Sequence, residues 1–470
     1  MTADDLALMT IGAIAPLIRQ REVSPVEVTD AVLARIDRLN PVLNAFITVT
    51  AEAARQAARD AEKEIASGRY RGPLHGIPIS LKDLYWTANL RTTGGSKILA
   101  DFVPREDATV TRRLGEAGAI LLGKTNMHEF AYGTTTINPH YGATRNPWNL
   151  DRITAGSSGG SGAATAAGLG FASLGSETGW SIRRPAAFCG VVGLKPTYGV
   201  VSRYGMLPAA WSLDHAGPLT RSVVDAGLVL NAIAGPDPAD PASSRQLLPD
   251  VIATIERGIT GLRIGLPRGH YVGRCEPAVE QAFDAAMDLL RGLGATVVEI
   301  GLPRARYAGV ASSVIMAAEV GTAQARWIHQ RPTEYGDDVR ARVESGLIVG
   351  AVDYLRAQRL RRWIAEEYAA VFHEVDLIAC PTTPQVATPI AGGLAALNDP
   401  GPEIADSPFN LLRLFALIGT PAVSVPCGFS PDGLPIGLSI AGPAYADARV
   451  LRAARTYENA TEWHRRRPAA

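Results

Sequence analysis

The sequence predicts an α/β fold with a central mixed β-sheet flanked by α-helices, on three observations. Apolar runs of strand length alternate with segments of helical periodicity along much of the 470 residues. Near the C-terminus AVSVPCGF and PIGLSIAGP flank a PDG turn at 431–433 and read as a hairpin, so some neighbours in the sheet must be antiparallel. Hydrophobic residues make up 47% of the chain against 20% charged, enough to bury a substantial core.

The elements follow in order. MTADDLALMTIGAIAPLIRQ carries acids before a short apolar run and reads as an amphipathic helix. In SPVEVTDAVLARIDRLNP, Ser24 is the N-cap, Pro25 takes the first helical position and Glu27 completes a capping box. LNAFITVT reads as a strand and AEAARQAARDAEKEIASGR as a helix, giving a mainly helical N-terminal segment over about 1–70. GIPISLKDLYW is a short apolar strand that ends in Lys82. A helix in DATVTRRLGEAGA then leads into a strand in AILLGKT. Later GLRIGLP, the helix around AVEQAFDAAMDLLRGLGA and the strand TVVEIGLP repeat the alternation. The Pro-, Asp- and Ser-rich stretch 231–250 is the candidate linker or surface excursion.

Charge and cysteine usage narrow the function. With 46 basic and 46 acidic side chains the balance points to no nucleic acid and no membrane surface, and a small, roughly neutral partner is the simpler expectation. The four cysteines, Cys189, Cys275, Cys380 and Cys427, are scattered without a CxxC pair, which suits reduced thiols in a cytoplasmic protein. No run approaches the roughly 18 uninterrupted apolar residues of a membrane span.

Several motifs fail on context. GAILLGKT at 118–125 matches G-x-x-x-x-G-K-[ST], but a phosphate-binding loop needs the order strand, loop, helix, and here a helix ends where the pattern starts and Lys124 closes a strand. His128-Glu129 opens like a zincin motif, yet the position three beyond Glu129 is Tyr132, so no metal pair forms and no metal or cofactor is expected. WHRRRP at the C-terminal end is one turn of basic residues, too short to argue for nucleic acid. Cys189 lies among apolar neighbours and reads as a buried neutral thiol.

TAGSSGGSGAATAAGLG, residues 154–170, contains almost nothing larger than threonine, which lets backbones approach closely and leaves amides free to face a ligand. Within it Gly156-Ser-Ser-Gly-Gly160 fits G-x-S-x-G and offers Ser158 as the nucleophile of an α/β-hydrolase-type esterase. The preceding NPWNLDRITA is a poor buried strand, although histidines do follow downstream.

A second serine, Ser181 in GSETGWSIRRPAAFCGVVGLKPTYG, lies beyond the run. Together with LHGIPISLKD, GKTNMHEFAYG, TRNPWN, SLDHAGPLTRS, PAVSVPCGF, GLPIGLSIAG and YENATEWHRRRP, in order over nearly the whole chain, these segments resemble the amidase signature family. The resemblance implies one large domain, 1–470. It implies Lys82 as a buried general base, Ser157, at a cis peptide bond, as the bridging serine, and Ser181 as the acyl-forming nucleophile. Backbone N–H groups of Thr178, Gly179, Trp180 and Ser181 are the candidate oxyanion hole. The chemistry is coherent: serine is a poor nucleophile without a base, and lysine serves as base only when burial lowers its pKa from about 10.4 towards neutrality.

The chain departs from the family where Glu177-Thr-Gly-Trp-Ser181 replaces the usual Asp-x-Gly-Gly-Ser, so Trp180 stands beside the nucleophile in place of a glycine. The leading expectation is a free-standing amidohydrolase of a carboxamide, with anilides, esters and carbamates as alternatives. It would take a small amide-type substrate, and a homodimer is the assembly to look for. The alternative is the glutaminase A subunit of a tRNA-dependent amidotransferase; such subunits typically carry glutamine where this chain has Arg184. The stretch 300–370 is expected to line part of the acyl pocket.

Overall fold

The computed structural model describes residues 2–391, 407 and 409–469. Eleven strands form one sheet: β1 (Phe46–Val49), β2 (Pro78–Lys82), β3 (Ile120–Thr125), β4 (Ala172–Glu177), β5 (Val192–Lys195), β6 (His215–Thr220), β7 (Arg263–Leu266), β8 (Thr296–Glu299), β9 (Leu377–Pro381), β10 (Ala422–Phe429) and β11 (Pro435–Ala441). Their order across the sheet is β1-β3-β2-β4-β6-β5-β10-β11-β9-β7-β8. The strands β3, β2 and β4 run parallel, as do β9, β7 and β8, while the strands between these groups pair antiparallel. The sheet is therefore mixed, and β10 and β11 form the expected hairpin around the turn closed by Gly433 N to Ser430 O, 2.9 Å.

Sequence chemistry explains the ends of the elements. Ser24 accepts from the amides of Val26 and Glu27 while the Glu27 carboxylate accepts from the Ser24 amide, so the helix Pro25–Leu43 starts where its capping box places it. The N-terminal segment differs from expectation. It forms two helices, Ala3–Leu8 and Ile11–Gln20, because the Thr10 hydroxyl accepts from the Ala13 amide and caps a second helix where a continuous one was expected. The helix Thr109–Glu116 precedes β3, so the GKT sequence ends a buried strand, the reverse of a phosphate-binding loop.

The stretch after the helix Val223–Ile233 is tied to the body of the protein. Asp237 accepts from Thr109 and Ser202, and Asp240 pairs with Arg203 at 3.0 Å. The C-terminal ends of the parallel neighbours β2 and β4 carry Lys82 and the segment that leads to Ser181, two of the candidate site residues.

Candidate active site

Lys82 closes β2 with no solvent exposure, and three hydroxyls surround its ammonium position: Ser157 Oγ at 2.7 Å, Ser176 Oγ at 2.8 Å and Ser158 Oγ at 2.9 Å. Ser176 lies near the end of β4; Ser157 and Ser158 lead into the helix Gly159–Ala166, and the Gly156–Ser157 peptide is cis. The glycine-serine run is small because it is packed. A Cβ on Gly160 would stand 2.3 Å from the Asn126 carbonyl, and one on Gly156 2.8 Å from the Thr135 amide. Bulk here would push Ser157 away from the lysine.

Burial drives the Lys82 pKa well below the usual lysine value, against the opposing pull of Asp214 and Glu177. The hydrogen-bond inventory then assigns donors. The Ser158 hydroxyl donates to the Ser176 carbonyl at 3.1 Å, so towards Lys82 it can only accept. A neutral amine has two N–H groups and one lone pair. Ser158 therefore takes one N–H, and the second N–H and the lone pair are left to Ser157, the shortest of the three contacts, and Ser176.

Ser181 sits on the turn between β4 and the helix Arg183–Cys189, buried at 6% exposure. Glu177 fixes that turn: its carboxylate accepts from the amides of Ile182 (3.1 Å) and Arg183 (3.0 Å) and pairs with the Arg183 guanidinium at 2.6 Å. The glutamate that replaces the family aspartate thus still reaches the first turn of the helix. Thr178 donates to Asp214 at 2.6 Å, and Asp214 also accepts from the amides of Ala209 and Ala210; burial raises its pKa to about 6. The amides of Gly179, Trp180 and Ser181 have no acceptor among the described residues, and the Ser181 hydroxyl has no hydrogen bond to Ser157.

Trp180 packs against Phe409, ring centroids 5.7 Å apart, with the guanidinium of Arg413 4.4 Å from its ring centroid and that of Arg184 5.7 Å away. From the 300–370 stretch, the Met316 methyl would lie 3.6 Å from a Cβ placed on Gly179, so the helix Ala308–Gln330 does cover this turn.

The remaining candidates resolve as structural. Ser158 is buried and committed to Lys82 and β4, with no histidine bonded to it among the described residues, and the strand before it, Asn149–Ile153, lies outside the main sheet, paired with Arg145–Asn146 and bridged to Pro389. This arrangement disfavours the esterase alternative. His128 braces the site: its amide donates to the Ser157 carbonyl at 3.1 Å and its ring bonds Asp338 at 2.9 Å. Cys189 is buried, and burial pushes its thiol up. Sequence reasoning missed Ser176. Its only signal is a small polar residue in the otherwise apolar strand FASLGSE, readable once β4 is known to adjoin β2.

The Amidase family matches residues 27–451. The A subunit of a glutamyl-tRNA(Gln) amidotransferase from Chloroflexus aggregans is 44% identical, with 99% of each chain covered. Among solved structures, one described as an unexpected vestigial protein complex that reveals the evolutionary origins of an s-triazine catabolic enzyme superposes with a TM-score of 0.90 at 37% identity, over 96% of this chain and 98% of that one. The native peptide amidase of Stenotrophomonas maltophilia gives 0.85 at 33%, over 98% of each.

These relatives correct one expectation. Balanced charge suggested a small-molecule partner and no nucleic acid, and a homodimer was the assembly expected, yet a full-length relative is one component of an enzyme named for glutamyl-tRNA(Gln). Net charge reports only phosphate contacts made by the chain itself, and an assembly can place those on its other members. Among the described residues no helix is long and apolar enough to cross a membrane. With the family matched over most of its length, the chain belongs to the amidase signature family, enzymes of carbon–nitrogen bonds.

Proposed function

We propose that Lys82, Ser157 and Ser181 form a proton relay that cleaves a carboxamide through a serine acyl-enzyme. The observation that carries this reading is the buried lysine of lowered basicity whose amine meets Ser157 at 2.7 Å. Ser181 Oγ attacks the carbonyl carbon, its proton passes to Ser157, and the Ser157 proton passes to Lys82. The oxyanion is met by the backbone N–H groups of Thr178, Gly179 and Trp180; one such donor contributes about 2.7 to 4 kcal/mol to the barrier reduction. Collapse breaks the C–N bond, and the same chain run backwards protonates the departing nitrogen. Water, deprotonated along the same path, then releases the acid.

Likeness to an amidotransferase component over 99% of both chains favours a setting in which the nitrogen from glutamine is passed on inside an assembly that includes further subunits and a charged tRNA. A second reading, a free-standing amidohydrolase, is favoured by one specific observation: Trp180 and Arg184 occupy positions beside the nucleophile where the amidotransferase pattern carries other residues.

The test is ammonia release by the purified full-length chain from glutamine and from simple amides, with a fluorophosphonate as covalent reporter. Ser181→Ala is expected to lose both turnover and labelling while keeping its fold. Labelling that survives in Ser181→Ala but disappears in Ser158→Ala would sink the relay. Turnover of simple amides by the lone chain selects the hydrolase reading; activity with glutamine that needs added subunits selects the amidotransferase.

A further inference from the structure

Two adjacent arginines on the helix behind Ser181 have opposite fates. Arg183 is buried against the Glu177 carboxylate and donates to the Leu412 carbonyl at 2.6 Å. Arg184 is just as buried, at 2% exposure, and has no carboxylate partner among the described residues: its Nε and Nη2 meet no acceptor there, and Nη1 has a long 3.4 Å contact to the Thr134 carbonyl. Three rings surround it, with Phe188, Phe409 and Trp180 centroids 5.2, 5.4 and 5.7 Å from its Cζ. Ring faces attract a cation but accept none of its in-plane N–H bonds.

Arg413, a partly buried second cation, lies 4.4 Å from the centroid of the same Trp180 ring and also lacks an ion pair among the described residues. Its bonds go to the Ser313 hydroxyl (2.5 Å) and, weakly, to the Gly309 carbonyl (3.4 Å), and its charged neighbour is a further arginine, Arg342. Burial lowers Arg184 to about 10, with Arg413 adding to the shift, so both stay protonated at neutral pH. A protein that brings two guanidinium groups together without a counter-ion, leaving buried donors unmade, bears a cost that a bound anion would relieve.

We propose that Arg184 and Arg413, arranged around Trp180, bind a carboxylate on the substrate, so that the amide cleaved at Ser181 is a short carboxamide that carries an acid group. The proposal rests on the amide-cleaving reading above and names its substrate class. Arg184 lies three residues after Ser181, in the first turn of the helix Arg183–Cys189, and the Trp180 ring beside it belongs to the residue next to Ser181, which fits a short chain between the scissile carbonyl and the acid. Guanidinium groups suit the role because their planar donor forks match a carboxylate. Glutamine and a simple amido acid share this chemistry, and comparing the two as substrates distinguishes the sources.

The experiment uses the full-length protein and measures kcat/KM by ammonia release for succinamate, its uncharged counterpart butyramide, and glutamine. Succinamate or glutamine is expected to exceed butyramide by at least about tenfold, the worth of one charge-assisted hydrogen bond. That ratio should collapse towards one in Arg184→Gln and Arg413→Gln, with the loss read in KM, and recover in part in Arg184→Lys. Succinamate ahead of glutamine points to a free-standing hydrolase, and the reverse order to the amidotransferase setting. Equal turnover of butyramide and the acids, or a ratio that survives both substitutions, overturns the proposal. If the lone chain turns over no carboxamide, the anion site is judged separately from the relay by calorimetric binding of succinamate to Ser181→Ala: binding lost on adding Arg413→Gln supports it, and no binding at all overturns it. Should the Arg184 variants fail to fold, the Arg413 variant and the wild-type ratio still decide.

Discussion

Three lysines lie at or next to the ends of strands of the same sheet with no solvent exposure, and the proposed relay uses one of them. Lys82 closes β2, Lys124 stands one residue before the end of its parallel neighbour β3, and Lys195 closes β5. Burial lowers all three: Lys82 well below the usual value, Lys195 to about 7, Lys124 to about 8. What differs is the neighbours. Lys124 donates to the Tyr85 carbonyl and the Thr87 hydroxyl and is drawn back towards its charged form by Asp83, while Lys195 donates to the Pro196 carbonyl at 3.0 Å. A carbonyl only accepts, so it holds a lysine proton in place. The three side-chain partners of Lys82 are hydroxyls, two of which, Ser157 and Ser176, are not committed as donors elsewhere and can both give and take, and this is why the proposed relay runs through Lys82. A lowered pKa alone would not have told these lysines apart.

The largest expected effect separates them directly. In the proposed relay Lys82→Met removes the base and should lower kcat by about 10³-fold or more, within the range of general-base contributions, with little change in thermal stability. The wild-type rate should rise as pH climbs through the lowered Lys82 pKa, because the neutral amine is the active form, and this rise should be absent in the residual activity of Lys82→Met. Rate and pH profile that survive the substitution would break the distinction drawn above.

Lys124→Met should do the opposite. It leaves the Asp83 carboxylate, held by the amide and hydroxyl of Thr93 and raised to about 6, without its buried cation, a loss of about 3 kcal/mol in urea unfolding, while folded enzyme keeps kcat close to the wild-type value. A loss of kcat in fully folded Lys124→Met would make the second lysine part of the chemistry and dissolve the contrast.

Local rules carried the sequence a long way here. The Ser24 box, the hairpin at 431–433 and the misfit of GAILLGKT each depend on neighbours a few residues apart, and each is where the residues put it. The break at Thr10 was hidden because its cap has Ala13 at the third helical position, not the acid that marks a capping box. The three candidate relay residues came from resemblance, since spacing alone does not reveal that residues 82, 157 and 181 converge. What stayed illegible depends on register across strands or on chain distance. Ser176 meets Lys82 only because β4 lies beside β2, and Arg413 reaches Trp180 from the helix Asn410–Leu417, far along the chain. Arg184 was visible as a departure from pattern, but its missing partner was not.

The smallest expected effect probes how the hydroxyls around Lys82 divide their work. In the proposed relay a neutral amine gives its two N–H groups to Ser158 and Ser176, which aims the lone pair at Ser157. Ser176→Ala removes one acceptor, leaves a buried N–H unmade and frees the amine to turn; a bond of that kind contributes about 1 to 1.5 kcal/mol, so kcat should fall by about tenfold. The ammonium form, which would donate to all three hydroxyls, loses more from this change than the amine does, so the Lys82 pKa should drop further. The acid limb of the rate profile should therefore shift to lower pH, and Ser176→Thr, which keeps the hydroxyl, should restore both its position and most of the rate. A tenfold loss with an unmoved acid limb would mean that Ser176 only fills space beside the lysine, and that Ser158 alone fixes the direction in which the proton travels.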